Sequence, residues 1–286
     1  MAEVCALHSG AFGRVVLLKL CSGLLPHAHS EAHIVWWLGG ARVEAQVGSC
    51  LWRSTEHALI GINPYESHDL RILDDDQPVI CLALYISPDW LARRRAAAAG
   101  SLPSIPSHPS IPFRTPFIPI GPDLHHVSSA VMDLMLDKRG AVDQLERQLE
   151  RLVDAAIDDA APPLETHRAT RVDFRIRRAL AFMRENMDAR LPVEAVAREV
   201  GLSRPHFFAM FRHQLRTPPQ IYWNALRLEA AINRVIQCDA SLTSIAADLG
   251  FSAASNFTRF FRDHTGVTPR EYRRAADEGH SDSQRY

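Results

Sequence analysis

No stretch of this chain approaches the roughly 18 consecutive apolar residues that a membrane-spanning helix requires, so no segment is expected to cross a bilayer. The N-terminus from Met1 to His8 lacks a basic region followed by an apolar one, and no secretion signal is expected there. Cysteine is sparse: Cys5, Cys21, Cys50, Cys81 and Cys238 form an odd, scattered set without CxxC spacing. That set fits reduced thiols in a cytoplasm better than a disulfide framework. Glycine-rich phosphate loops, nucleophile-base motifs and paired carboxylates are also missing, so enzymatic activity is not expected and no cofactor is assigned.

The 286 residues allow one large domain or two ordinary ones, and the 47% hydrophobic content is that of a core-forming globular protein. A net charge of -1 hides an asymmetry. Residues 171–274 hold 17 Arg, no Lys and 10 acids, a net of +7, whereas residues 1–170 carry 14 basic and 20 acidic side chains, a net of -6. A basic module joined to an acidic one implies a polyanionic partner for the first alone.

The basic module repeats one pattern. Val193–Arg212 and Leu242–Arg262 each read as a short helix, a glycine turn and a second helix. Gly201 and Gly250 are 49 residues apart, while Phe211 and Phe261, Pro219 and Pro269, and Tyr222 and Tyr272 are each 50 apart, so the second copy carries one extra residue after its turn. Val196, Ala197 and Val200, like Ile245, Ala246 and Leu249, are expected to face a crossing helix. Gly201 and Gly250 supply positive φ cheaply, and Ser203 and Ser252 are placed to cap the next helix. Phe207, Met210 and Phe211, or Phe257, Phe260 and Phe261, then fall at helical spacing toward the core. Outward remain Arg204, Pro205, His206, Phe208 and Ala209 in one copy, and Ser255, Asn256, Thr258 and Arg259 in the other. Residues 218–237 read as one helix of roughly 28 Å, long enough to hold the two copies about one DNA turn apart.

These features resemble the AraC/XylS family of bacterial transcription regulators. The resemblance rests on Arg227-Leu228 with Ala230 and Ala231, on Ile245-Ala246 with Gly250, Phe251, Ser252 and Phe257, and on the closing stretch from Phe261 to Arg273. It implies a regulator that binds double-stranded DNA, more often an activator, with RNA polymerase as a partner. Arg204, Pro205, His206, Phe208, Ala209, Ser255, Asn256 and Arg259 are the candidate base contacts: Arg fits guanine in a fork and Asn fits adenine. Arg175, Arg178, Arg212 and Arg262 are candidate phosphate contacts. The first copy departs from family practice in offering Pro205, Phe208 and Ala209, and in placing Arg216 where the second copy has Gly266. More of the polar readout is therefore expected from the second motif.

Ahead of this module, residues 13–20, 33–38, 42–47, 57–62, 70–73 and 79–86 read as short strands punctuated by turn residues, which indicates a β-barrel or sandwich. The stretch from Pro26 to His33, with Gly39-Gly40 and Pro64 to His68, resembles the cupin barrel that serves as a sensor in many AraC-like proteins. The resemblance implies a small-molecule effector, with His27, His29, His33, Trp36 and His68 as candidate ligand-binding residues. A metal cupin takes His-x-His, a Glu and a distant His. Here His27 and His29 fit, His33 stands in the Glu place, Glu31 lies nearby and His68 completes the set. The alternative reading is therefore a metal-binding cupin sensor, or a metal-dependent cupin enzyme, fused to a DNA reader. The displaced Glu favours the metal-free reading.

Residues 88–99 read as a short helix bearing three arginines. Residues 102–122, rich in proline, are expected to wrap the barrel without regular structure. Two helices follow at about 123–138 and 142–159. The stripe Val142, Leu145, Leu149, Leu152 and Ala156 in the second suits either pairing in a homodimer or packing on the barrel. The expected organisation is an α+β, two-domain chain. A cupin-like β-barrel (1–122), a helical pair (123–159) and a linker (160–170) precede an all-α domain with two helix-turn-helix motifs (171–274) and a disordered tail (275–286).

Overall fold

The computed structural model describes residues 2–74, 77–98, 112–136, 142–160, 173–188 and 191–283. Residues 102–111 of the proline-rich wrap and 161–170 of the expected linker lie outside the described residues. Among the described residues, no helix is long and apolar enough to cross a membrane.

The N-terminal part is two antiparallel sheets. Strands β1 (Glu3–Gly10), β2 (Gly13–Leu20), β9 (Val79–Ile86), β4 (Ala32–Gly40), β7 (Ala58–Ile62) and β10 (Phe117–Pro119) form one, in that order. Strands β3 (Leu24–His27), β8 (His68–Ile72), β5 (Val43–Val47) and β6 (Cys50–Arg53) form the other. The sheets face each other without closing into one hydrogen-bonded barrel, which corrects the barrel expectation to a sandwich.

The six strands legible in the sequence are the six interior ones, β2, β9, β4, β7, β8 and β5. The four that were not legible, β1, β3, β6 and β10, are the four sheet edges. An edge strand pairs on one side only and tolerates polar residues and proline; β3 carries Pro26 and β10 ends in Pro119. Strand β2, by contrast, shows no alternation because both its faces are covered. Val16 and Leu18 point into the sandwich while Val15 and Leu17 meet the helical layer.

That helical layer is α1 (Pro88–Ala98), α2 (Pro122–Leu136) and α3 (Val142–Ala160). Leu145, Leu149, Leu152 and Ala156 are buried there with Val131 of α2 and Ile118 of β10. The stripe is thus consumed inside the chain, and its use in a homodimer loses its support.

The C-terminal part comprises α4 (Phe174–Glu185), α5 (Val193–Glu199), α6 (Arg204–Leu215), α7 (Pro219–Gln237), α8 (Leu242–Asp248), α9 (Ala254–Thr265) and α10 (Pro269–Ser283). Helix α10 runs into the stretch expected to be a disordered tail. It is anchored by Ala275 and Ala276, both buried.

The two motifs sit in different cores. Helices α4 to α6 and the start of α7 build a core of their own around Val196, Phe207, Phe211 and Trp223. The second motif shares one continuous core with the sandwich, joining Ile245, Phe257, Phe261 and Tyr272 to Leu18, Leu20, Trp52 and Val79.

Candidate nucleic-acid interface and the histidine cluster beside it

Helices α6 and α9 are the second helices of the two motifs, each following a left-handed glycine, Gly201 (φ 69°) and Gly250 (φ 71°). A Cβ on Gly250 would stand 1.9 Å from the Asp188 carbonyl oxygen, so close approach adds a second reason for glycine there. The expected inner residues Val196, Ala197, Val200, Ile245, Ala246 and Leu249 are all buried, as are Phe207, Phe211, Phe257 and Phe261. Met210 and Phe260 are only half-buried.

The serine caps need correction. Ser203 is the N-cap of α6, but its hydroxyl makes no capping bond, and the N-cap of α9 is Ala253. The extra residue of the second copy moves Ser252 one place outside the helix. Its hydroxyl there accepts a 2.7 Å bond from Asn256 Nδ2.

The outward faces carry the side chains expected there. Arg204, Pro205, His206 and Ala209 are exposed and Phe208 is half-buried on α6; Ser255 and Arg259 are exposed and Asn256 and Thr258 half-buried on α9. On α9, Arg259 Nη2 reaches Asn256 Oδ1 at 3.4 Å, which with the Ser252 bond forms a short polar chain across the face. On α6, Arg204 pairs with Glu194 of α5 at 2.6 Å and lies over the Phe208 ring at 5.1 Å. Arg212 and Arg262 are exposed one turn further along. Arg175 pairs with Asp173 at 2.9 Å and Arg178 with Glu199 at 2.7 Å. Both pairs are open to water, which screens the attraction, so a phosphate can displace the carboxylate readily.

Other arginines of the module are structural, a role that net charge alone does not reveal. Arg227 Nη2 donates to the Leu249 carbonyl at 3.0 Å and its guanidinium covers Phe251 at 4.3 Å, fixing α8 to α7. Arg273 donates to the carbonyls of Val235 (3.0 Å) and Ala240 (2.9 Å), fixing α10 to the far end of α7.

Behind α9 the sandwich presents four buried histidines, His27, His29, His33 and His68. The hydrogen-bond register that sets His27 opposite His68 brings β3 and β8 together, and β4 contributes His33 from the facing sheet. Ring centroids lie 4.2 Å apart for His27 and His68, 5.0 Å for His27 and His29, and 4.7 Å for His33 and His68. One nitrogen atom from each of His27, His29 and His68 falls within 4.8 Å of the others.

Burial lowers the pKa of all four. His33 and His68 fall to about 3, and His27 and His29 well below the ordinary imidazole value, with neighbouring imidazoles adding to the shift. The rings are therefore neutral near pH 7, the form that offers a lone pair.

Two sequence expectations change here. Glu31 is engaged by Arg14, whose Nη2 lies 2.8 Å from Glu31 Oε2 and whose guanidinium covers Tyr85 at 4.1 Å, so it is committed to a buried ion pair rather than to the histidines. Trp36 packs in the helical layer on the other face of β4, away from the cluster.

Three partners had no signal in the sequence. Tyr85 of β9 stacks on His33 at 5.1 Å, Tyr272 of α10 lies beside Arg14, and His264 of α9 meets His27 edge-on at 5.9 Å. The last two belong to the distant half of the chain, and only tertiary structure places them here.

Residues 196–275 match a family described as a helix-turn-helix domain. The chain is 31% identical over 99 residues to the HTH-type transcriptional regulator ArgR of Pseudomonas aeruginosa, covering 35% of this chain and 30% of the relative. It is 30% identical over 105 residues to the HTH-type transcriptional activator RhaS of Escherichia fergusonii, covering 37% and 38%. The matched segment thus spans about a third of the length of these relatives.

Apo ToxT of Vibrio cholerae shares the fold over nearly the whole chain, with a TM-score of 0.57 at 12% identity, covering 93% of this chain and 98% of that one. The matched segment takes in both helix-turn-helix motifs, and over nearly its whole length the chain is similar in fold to ToxT.

Proposed function

We propose that this protein is a sequence-specific, ligand-responsive transcription regulator that binds double-stranded DNA through α6 and α9 in successive major grooves. The observation that carries this reading is the pair of outward faces, Arg204 to Ala209 and Ser255 to Arg259, held at the two ends of one α7 strut. At about 1.5 Å per residue, the 19 residues of α7 span roughly 28 Å, close to the 34 Å or so between successive major grooves. Arg259 and Asn256 read base edges, Arg204 and His206 contribute from the first motif, and Arg175, Arg178, Arg212 and Arg262 bind phosphates.

The effector acts at the sandwich face beneath α9, where His27, His29, His33 and His68 converge. A ToxT structure with an unsaturated fatty acid bound supports small-molecule control in this fold. Activation through RNA polymerase and action in the cytoplasm follow the family pattern. A homodimer has to use a surface other than the α3 stripe.

Selection of oligonucleotides from a randomised pool by the full-length protein tests the reading. Recovery of a site with two preferred blocks about one helical turn apart supports it. Recovery of no preferred sequence counts against it.

A further inference from the structure

We infer that His27, His29 and His68, with His33 beside them, form a binding site for one divalent transition-metal cation, and that His264 of α9 conveys its occupancy to the second helix-turn-helix motif. The chemistry begins with the donor set: imidazole nitrogen suits zinc, nickel, copper, cobalt and ferrous iron rather than calcium or magnesium. A tetrahedral site with bonds of about 2.1 Å places its ligand atoms about 3.4 Å apart, so nitrogens now within 4.8 Å close on an ion with a contraction of at most about 1.4 Å.

The surroundings are prepared for ligation. Nδ1 of His27 lies 2.7 Å from the Leu25 carbonyl oxygen and Nδ1 of His68 lies 2.9 Å from that of Glu66. A carbonyl only accepts, so each Nδ1 carries the proton and each Nε2 presents its lone pair. Metal-bound histidines show this arrangement, with the second ring nitrogen donating to a fixed oxygen. Among the described residues the set of candidate ligands is imidazole alone, and the nearby Glu31 is held by Arg14.

The location gives the site its consequence. His264 obeys the same rule, with Nδ1 2.7 Å from the Phe260 carbonyl oxygen, and its ring meets both Phe260 (4.4 Å) and His27 (5.9 Å). Phe260 in turn packs on Phe251 at 5.2 Å, and both rings lie under Arg227. Movement of His27 onto a cation therefore alters the contact it makes with the C-terminal turn of the helix that carries Asn256 and Arg259. The metal site stands on geometry alone; its coupling to DNA rests on the regulator reading above.

The test uses full-length protein made without a histidine tag and stripped with a chelator. Titration with Co(II) should give one equivalent per chain with the visible absorption of a four-coordinate ion, displaced by one equivalent of Zn(II). His27→Gln and His68→Gln should each weaken Co(II) binding by about 100-fold or more, above the 10- to 100-fold typical of losing an outer partner. If either variant fails to fold, X-ray absorption of the Zn(II)-loaded wild type decides, since imidazole scattering around the ion is expected. Sub-stoichiometric binding, a first shell without imidazole, or Co(II) affinity unchanged in both variants would overturn the site.

For the coupling, Zn(II) should change affinity for a selected oligonucleotide by at least about 5-fold in the wild type and by less than twofold in His264→Gln. An equal response in both proteins overturns the role of His264. Stoichiometric metal with no DNA selected under any condition counts against the regulator reading and leaves the metal site standing.

Discussion

Gly266 closes the C-terminus of α9 directly against Leu20 of β2: a Cβ at position 266 would stand 2.4 Å from Leu20 Cδ2 and 3.3 Å from Leu24 Cδ2. The equivalent cap of the first motif is Arg216, equally left-handed at φ 58° but exposed. The sequence difference between the two caps therefore marks which motif is docked on the sandwich.

Gly266→Ala meets both the positive φ of 81° and the side chains of Leu20 and Leu24. A left-handed non-glycine residue costs about 1–2 kcal/mol before any clash is counted. Thermal unfolding should show a loss of at least that size. Arg216→Ala, the matched control, should stay within about 0.5 kcal/mol of the parent, as exposed substitutions usually do. Equal effects at the two caps would contradict the docking asymmetry.

Arg216→Gly should do the opposite. Relief of the left-handed penalty, about 1–2 kcal/mol, outweighs the extra unfolded-state entropy of glycine, about 0.5–1 kcal/mol. Urea unfolding should move the midpoint upward by a net gain of about 0.5–1 kcal/mol. A lower midpoint would show that the Arg216 side chain contributes more than its exposure suggests.

Arg14 and Glu31 form an ion pair whose side chains are 9% and 14% exposed, beneath Tyr85 and beside Tyr272. Arg14→Ala strands the carboxylate and should cost about 3–5 kcal/mol, whereas the double change Arg14→Met with Glu31→Leu should recover most of that loss. Equilibrium unfolding of the three proteins measures both, and a double variant no better than the single one would show that the charges matter beyond each other.

Glu229, on α7 facing the sandwich, has its pKa raised chiefly by burial, with the Ser30 hydroxyl opposing the shift, Glu31 adding repulsion, and Arg14 and Arg184 opposing it further. Tyr65 and Tyr222 complete the neighbourhood, their rings 4.5 Å apart. An acid whose folded pKa is raised destabilises the fold above that pKa and ceases to do so as pH falls below the unfolded value, about 4.3. Glu229→Gln should therefore raise the melting temperature at pH 7, with the gain shrinking toward pH 4. A gain independent of pH would point to packing instead.

Legibility in the sequence followed coverage. Interior strands such as Val79–Ile86 announced themselves because neighbours and a covered face demand apolar residues, while edges such as Leu24–His27 did not. The outward residues of α6 and α9 were readable from helical periodicity within one repeat, and His27, His29, His33 and His68 from their clustering around β3, β4 and β8. His264, Tyr272 and Arg14 were not, because what unites them is the meeting of two domains, and no local pattern encodes that. Ser252 misled for a related reason: the residue type suits a cap, but the helix start is set by the turn before it, whereas Ser203 does stand at the N-cap of α6 and only lacks the capping bond. The α3 stripe could not reveal whether its partner was the same chain, and Leu149 and Ala156, both fully buried, answer that it is.

The most direct test of the account is hydroxyl-radical footprinting of the full-length protein on a selected site, comparing wild type with Arg259→Ala and Arg204→Ala. Two protected blocks about 10 base pairs apart on one face are predicted. Arg259→Ala should lose one base preference at a cost of about 1–3 kcal/mol. A single protected block, or a binding profile unchanged in both variants, would contradict the claim that α6 and α9 read successive major grooves.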